Sequence, residues 1–571
     1  AIHRLTPAVI LTIIVRPLAD MAAGSELTAE VIVIGSGAGG GFVATALAEA
    51  GVSVLLLERG RWFDYKKDFP ARQPDWETRG SPFRTGSFFS DPTIDFHRGP
   101  PIAEEDFDIC SRHRLEHLQK YKNRGSFNYH RVLGVGGSTL HYQAEAHRFP
   151  AHAFNTKTRY GFGIDWPLSH DELTPYYAKA EEWLGVAGDP ANPFKAPRGD
   201  FPTPAHDLST KSQWVRQACE KLGWSLLPNP VALPSRSYDG RSPCRHSGVC
   251  VKGCPFGAKS SVDLAVLPRA LKTGKLRVLD NTRVLQLETD AGGSISGVIC
   301  VHDGKKKRAV ADRYVLSGGA IETPRLLLAS QGGVHQQGIG NQHDRVGRNL
   351  METIFSVLTV EADRPLQAWK GQPIDSRIWD FNTPGPQHDR NGFVLGVSSS
   401  LSAYAGPLSY ALRVPGSGKA HKDAVREKFG RIVNLFGIAD HSPDENNRLR
   451  LSDKLDEQGM PKVIVSSDYR QRDRNTLRVM INSLITLADA TGPAKTMGLF
   501  STYNNPQTTH LAGTCMMGND VEQSVVDANG KVHGVSNLYI ADASILPGQG
   551  MGDSPSLTIQ ALALRIADKM V

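Results

Sequence analysis

The sequence predicts an α/β fold divided between two domains, on three observations. Four β-branched residues, Val31-Ile32-Val33-Ile34, run into a glycine-rich turn, an apolar-periodic helix and a second apolar strand. Segments 354–361, 393–413 and 430–438 show the alternation and β-branching of an antiparallel sheet with one face turned to a pocket. The length, 571 residues, is too great for one compact core.

The N-terminal unit reads as a Rossmann-like dinucleotide site. Val31–Ile34 is a buried parallel strand, Phe42–Ala50 a helix ended by Gly51, and Val52–Leu57 a second strand tipped by Glu58. Gly35 allows the tight turn, Gly37 lets the backbone approach a pyrophosphate, and Gly40 permits close helix–strand packing. The helix N-terminus offers N–H groups and a positive dipole to phosphates. Glu58 sits where a carboxylate holds a ribose 2′-OH. This pattern alone does not separate FAD from NAD.

Residues 1–20 read as an extension outside the fold, since Ile10–Val15 is too short for a signal-peptide core and Met21 leads naturally into the first strand. Arg61–Arg124, rich in Pro, Asp, Arg and aromatics, reads as a long irregular excursion of the lid or cofactor-cover kind. Gly134-Val135-Gly136-Gly137-Ser138-Thr139 is a second glycine turn, either a simple tight turn or another close approach to a cofactor. Ser169 and Glu172 form a capping box opening a helix that runs to Leu184, and a Pro-rich linker at 189–204 precedes a helix over Lys211–Leu222. Ala309–Leu316 is a strand leading through Gly318-Gly319 into a helix over Ala320–Ser330, and Gln471–Thr491 is a long helix. No internal repeat is present.

Composition narrows the function. With 65 basic and 58 acidic residues the net charge is only +7, and no basic run interleaves with aromatics, so nucleic acid is not implied. His113–Arg124 is locally basic and reads as a solvated loop. No stretch of 18 apolar residues exists to span a membrane. Seven cysteines are too few for a disulfide scaffold, but Cys244, Cys250 and Cys254 fall within eleven residues and precede Pro255. Closely spaced thiolates before a proline suit an iron–sulfur cluster. Zinc, with His246 as fourth ligand, and unligated thiols are the alternatives, although the spacings do not fit paired C-x2-C knuckles. Cys110, Cys219, Cys300 and Cys515 read as packed or incidental.

Blocks from Val31 to the C-terminus resemble the glucose–methanol–choline (GMC) oxidoreductases in content and order. Besides the two glycine turns they comprise Gly319-Ala320-Ile321-Glu322-Thr323-Pro324, Val346-Gly347-Arg348-Asn349-Leu350, His510-Leu511-Ala512-Gly513-Thr514, Asn537–Ser544 and Pro555–Leu564. Gly136–Tyr142 and Asp165-Trp166-Pro167 are most similar to the bacterial FAD-dependent sugar and polyol dehydrogenases.

The resemblance implies FAD. It also implies a discontinuous FAD-binding domain (21–165, 244–350 and 505–571) and a substrate domain on an antiparallel sheet (166–243 and 351–504). Gly136, Gly137, Ser138 and Thr139 are then expected beside the flavin or ribityl chain, and Asp542 and Ala543 near the pyrophosphate. His510, which by pattern alone also suits a helix cap or a core hydrogen bond, is implied as the base that takes a hydroxyl proton as hydride passes to flavin N5. Where the family places a second active-site Asn or His, this chain has Ser554, so the pair is completed by Ser554, helped by Asp553, or by another side chain. The three-cysteine site is expected to bind a 3Fe–4S cluster. The expected partners are a sugar, polyol or sugar acid as substrate, a small subunit, and a cytochrome c-type or quinone electron acceptor. Location is then the bacterial periplasm or a membrane reached through a partner subunit, and the cytoplasm if the chain acts alone. Three rivals make different predictions: an oxidase returning electrons to O2 has no iron, a lyase with structural FAD has no substrate that bleaches it, and a zinc-stabilised binding protein is colourless. Trp369, Trp379, Tyr404 and Tyr410 suit stacking on a sugar ring and core packing equally.

Overall fold

The computed structural model describes residues 26–69, 84–85, 94–97, 128–129, 131–399, 411, 414–503, 507–508 and 510–571. In chain order the principal elements begin with β1 (Leu27–Ile34), α1 (Ala38–Glu49) and β2 (Val54–Leu57). Next come α2 (His170–Leu184), α3 (Thr210–Leu222), β3 (Leu226–Pro228), β4 (Leu276–Leu279), β5 (Thr282–Thr289), β6 (Ile295–His302), β7 (Lys305–Leu316) and α4 (Gly319–Ala329). They are followed by β8 (Thr353–Glu361), β9 (Ser376–Ile378), β10 (Phe393–Ser398), β11 (Ile432–Asp440), α5 (Gln471–Ala490), β12 (Lys495–Ser501), β13 (Leu538–Ile540) and α6 (Ser556–Met570). The expected extension 1–20, most of the excursion 61–124 with Cys110, and Tyr404 and Tyr410 lie outside the described residues.

One sheet has the order β4-β2-β1-β7-β6-β5, with β13 also pairing β7. Its centre is parallel: β1 lies between β2 and β7, and β4 and β13 continue the same direction. β5 and β6 extend it as an antiparallel flank. Val31, Ile32 and Val33 are fully buried, as a central strand covered on both faces requires. Helix α1 starts four residues earlier than its apolar periodicity suggests, because Ala38 to Gly41 already take helical geometry and Gly39–Gly41 are buried in it. Helix α2 opens on the expected capping box, with Ser169 accepting from the Glu172 N–H and Glu172 accepting from the Ser169 N–H. It packs with Phe42, Leu557 and Leu564 in the same core, although the expected domain boundary at 166 runs ahead of it.

The second sheet is antiparallel throughout, in the order β12-β8-β11-β10-β9-β3. The period-2 alternation of its strands gives it two unlike faces. Ile354, Leu358, Phe393, Leu395, Val433 and Leu435 pack on α3 and α5 in a second core. Val357, Phe436 and Ile438, with Phe355, Phe500 and Ile374, form a smaller cluster on the other face. Arg377 shares that face, its Cζ 4.5 Å from the Phe436 ring centroid. Of the expected strand 393–413, the described part ends at Ser398.

Candidate active site

The two glycine turns meet. A Cβ on Gly137, whose φ is +54°, would lie 2.7 Å from Gly37 Cα, so neither turn carries a side chain where they touch. A Cβ on Gly35, at φ +98°, would lie 2.4 Å from the Ser317 carbonyl oxygen, and one on Gly40 would lie 1.9 Å from the Gly35 carbonyl oxygen. No side chain caps α1 at Gly37, which leaves its first-turn N–H groups without a side-chain partner, and Ser138, next to Gly137, is exposed. A side-chain-free cradle with uncapped N–H groups fits the pyrophosphate of a dinucleotide.

Glu58 and Thr139 act as ties in this structure. Glu58 accepts from Ser36 N (3.0 Å), Ser36 Oγ (2.7 Å) and Gly60 N (2.8 Å), and burial raises its pKa. Ser36 Oγ in turn accepts from Gly136 N (3.1 Å), so the acid also holds the second turn. Thr139 Oγ1 donates to the Gly136 carbonyl and accepts from Val262 N. Asp542 stands at the start of α4, accepting from Gly319 N (2.8 Å), Thr323 Oγ1 (2.6 Å) and Ser544 N (2.8 Å); burial raises its pKa. The Ala543 carbonyl accepts from Gly513 N, three residues after His510.

The His510 backbone is clamped. Its N–H donates to Thr508 Oγ1 (3.1 Å) and its carbonyl accepts from Gln549 Nε2 (2.6 Å). Gln549 belongs to a turn held by Asp440 at the end of β11, whose carboxylate accepts from Gln549 N and Gly552 N. Burial lowers the His510 pKa to about 4; Glu145 opposes the shift, and Arg377 and His147 add to it. The imidazole is therefore neutral at pH 7, the form a base requires.

Next to His510 lies a buried polar network that no motif announced. Glu145 Oε1 accepts from Arg377 Nε (2.7 Å) and Asn229 Nδ2 (2.9 Å), and Oε2 accepts from Ser554 Oγ (2.7 Å). Burial alone would raise the Glu145 carboxyl, but Arg377 and His147 outweigh it and hold it at about 2. Asn229 Nδ2 also donates to the Ile374 carbonyl, so its Oδ1 faces His147 Nε2 at 2.7 Å and accepts from it. Ser554 N donates to His147 Nδ1 (3.1 Å). Asp553 is fully committed: it pairs with Lys195, accepts from Trp379 Nε1 (3.0 Å) and lies 3.2 Å from His147 Nδ1. Burial pushes its carboxyl up, yet Lys195 and His147 bring it below the ordinary carboxylate range. Trp379 is thus a buried partner of Asp553, whereas Trp369 is 49% exposed.

Cys244, Cys250 and Cys254 line one small pocket, with His246, Phe256 and Lys259. Burial pushes the Cys250 thiol up to about 12 and raises that of Cys244. Lys259 Nζ donates to the Leu140, Tyr142 and Cys250 carbonyls, joining this loop to the second glycine turn. The His246 ring faces His206, with Nε2 3.1 Å from His206 Nδ1. Among the described residues no three His, Cys, Asp or Glu side chains are gathered closely enough to hold a metal ion. The three sulfurs suit a cluster in kind and share one cavity, but they are not preassembled around a common point. Cys219, Cys300 and Cys515 are buried in the cores.

Comparison with known proteins shows the family and the fold. Family models described as GMC oxidoreductase match residues 120–354 and 443–563. The chain is 29% identical over 551 residues to the fructose dehydrogenase large subunit of Gluconobacter japonicus, covering 95% of this chain and 98% of that one. It is 31% identical over 552 residues to 2-methyl-1,2-propanediol dehydrogenase of Mycolicibacterium austroafricanum, covering 94% of each. Among solved structures, pyridoxine 4-oxidase from Mesorbium loti superposes with a TM-score of 0.64 at 20% identity, over 95% of this chain and 99% of that chain, and shares the fold.

Proposed function

The chain belongs to the GMC oxidoreductase family, whose members are FAD-dependent enzymes acting on CH–OH groups, and from that premise we propose that it dehydrogenates a sugar, polyol or sugar acid. The observation that carries the reading is His510, a partly buried histidine whose backbone is held by Thr508 and Gln549 and whose imidazole is shifted by desolvation toward its neutral form beside an ionised Glu145. His510 takes the hydroxyl proton, and the bond pair of the adjacent C–H leaves as hydride. Gly35, Gly37, Gly40, Glu58 and the 136–139 turn would hold FAD, which would supply the hydride acceptor when bound. Substrate class is drawn from relatives named for fructose and for a propanediol.

The route out of the flavin is part of the same proposal. Cys244, Cys250 and Cys254 would hold a 3Fe–4S cluster, which supplies one-electron transfer when bound. The acceptor would be a cytochrome c-type partner or a quinone, reached with a small subunit, in keeping with a relative that is itself a large subunit. The enzyme would then work in the bacterial periplasm or at a membrane through that subunit. No described helix is long and apolar enough to cross a membrane.

The test is an anaerobic titration of purified protein with D-fructose, gluconate, mannitol and 2-methyl-1,2-propanediol, followed through the visible flavin band, with iron and acid-labile sulfide assays. Bleaching by at least one polyhydroxy compound, slow recovery in air and about three irons per chain are expected. Rapid recovery in air without iron would make it an oxidase, and failure of every compound would sink the dehydrogenase reading.

A further inference from the structure

Arg377 on β9 is fully buried, and its Nη1 atom has no hydrogen-bond partner. Its Nε donates to Glu145 Oε1 and Nη2 pairs with the same oxygen at 2.5 Å, which leaves Nη1 as the nitrogen with no acceptor. The guanidinium lies over the Phe436 ring, in space left by Gly396: a Cβ there would be 2.9 Å from Arg377 Cδ and 2.6 Å from Phe436 Cζ. Buried donors of native proteins nearly always find an acceptor, so spare N–H groups on a fixed cation mark a place where a ligand oxygen belongs.

Within the network described around Glu145 the other donors are spent. Ser554 has one hydrogen, given to Glu145, whose ionised carboxylate only accepts. Both hydrogens of the Asn229 amide go to Glu145 and the Ile374 carbonyl, and the Trp379 N–H goes to Asp553. Lys195 is turned to Asp553 and the Arg148 carbonyl. Ser554 therefore cannot supply the donor that its place in the sequence suggests. Arg377 and His510 are tied to the same turn, Arg377 through Glu145 to Ser554 and His510 through its carbonyl to Gln549.

We propose that Arg377 is the second catalytic group of the site: its free Nη1 N–H groups donate to the substrate oxygen whose proton His510 takes, and Glu145 holds the guanidinium in position to do so. The proposal rests on His510 being the base. As the O–H proton passes to His510 and the C–H bond pair leaves as hydride, the oxygen carries negative charge in passing. A preorganised cationic donor at that oxygen lowers the barrier without being consumed.

The experiment is anaerobic stopped-flow reduction of the flavin in holoenzyme carrying Arg377→Lys or Arg377→Ala, with FAD content measured for each. Arg377→Lys keeps the charge beside Glu145 but loses the planar fork, and its limiting rate should fall about 100-fold. Arg377→Ala should be slower still and partly restored by methylguanidinium, and the acidic limb of its pH profile should move up because a neighbouring cation is gone. If Arg377→Ala fails to retain FAD, Arg377→Lys decides alone. A rate within threefold of the unsubstituted enzyme for Arg377→Lys would overturn the proposal, as would loss in Arg377→Ala with neither rescue nor a shifted limb. If His510→Ala abolishes reduction while Arg377→Lys does not slow it, only this proposal falls. If no polyhydroxy compound reduces the unsubstituted enzyme, the underlying reading falls with it.

Discussion

Gly137 and Gly37 touch backbone to backbone: a Cβ on Gly137 would sit 2.7 Å from Gly37 Cα, at a residue whose φ of +54° already disfavours side chains. The second glycine turn is therefore pressed onto the start of α1, where the dinucleotide is expected. Gly137→Ala should cost about 1–2 kcal/mol of backbone strain before the clash is counted. It should purify with less than about a tenth of the FAD of the unsubstituted protein while keeping its far-UV circular dichroism; an unchanged flavin-to-protein ratio would remove this contact from the binding site.

The pH behaviour of His510 follows from its burial. Its pKa falls from 6.5 to about 4, so the folded chain binds the proton later than the unfolded chain as pH drops. The stability linked to this residue is complete above pH 6.5 and erodes as pH falls toward about 4. The limiting rate of flavin reduction should hold down to that region, with an acidic limb near pH 4 that is absent in a His510→Ala variant. A limb near 6.5 would mean an imidazole in contact with water.

Ser554→Ala removes the 2.7 Å hydrogen bond to Glu145 and leaves a buried carboxylate oxygen unsatisfied. A hydrogen bond to a buried charge is worth about 1.5–3 kcal/mol, so chemical denaturation should show a loss of that size. Asn in place of Ser554 should recover part of it by donating to the same oxygen.

Asp456 offers a stability test away from the chemistry. Its Oδ2 accepts from Arg283 Nη2 (2.6 Å) on β5 and Arg325 Nη2 (2.8 Å) on α4, with Arg325 fully buried. Asp456→Ala removes one acceptor from each guanidinium while Arg325 keeps Glu322 and the Pro461 carbonyl and Arg283 keeps Gln458, so it should destabilise the chain by about 1.5–3 kcal/mol in urea. FAD content should be unaffected at low denaturant, because the pair lies outside the glycine turns.

Much of this was legible in the chain itself, and the reason is local. The strand–turn–helix–strand unit around Gly35, the Ser169–Glu172 capping box and the alternating strands of the second sheet each express a short-range periodicity or a fixed offset. The network behind His510 does not. Glu145, Asn229, Arg377 and Ser554 come from four distant segments and meet only through the register of β9 in its sheet and the turn held by Asp440. Nothing in their spacing announces a site; a buried-type Arg-Ile-Trp run at 377–379 was the one available hint. The expected help from Asp553 looks different in the structure, because that carboxylate is bound to Lys195 and Trp379.

The central claim is that a single neutral imidazole starts the reaction, and His510→Ala measures it most directly. Mixed anaerobically in a stopped-flow instrument with whichever polyhydroxy substrate bleaches the unsubstituted enzyme, and with FAD content matched, the variant should reduce its flavin about 100- to 10,000-fold more slowly. Reduction at the unsubstituted rate would contradict the account.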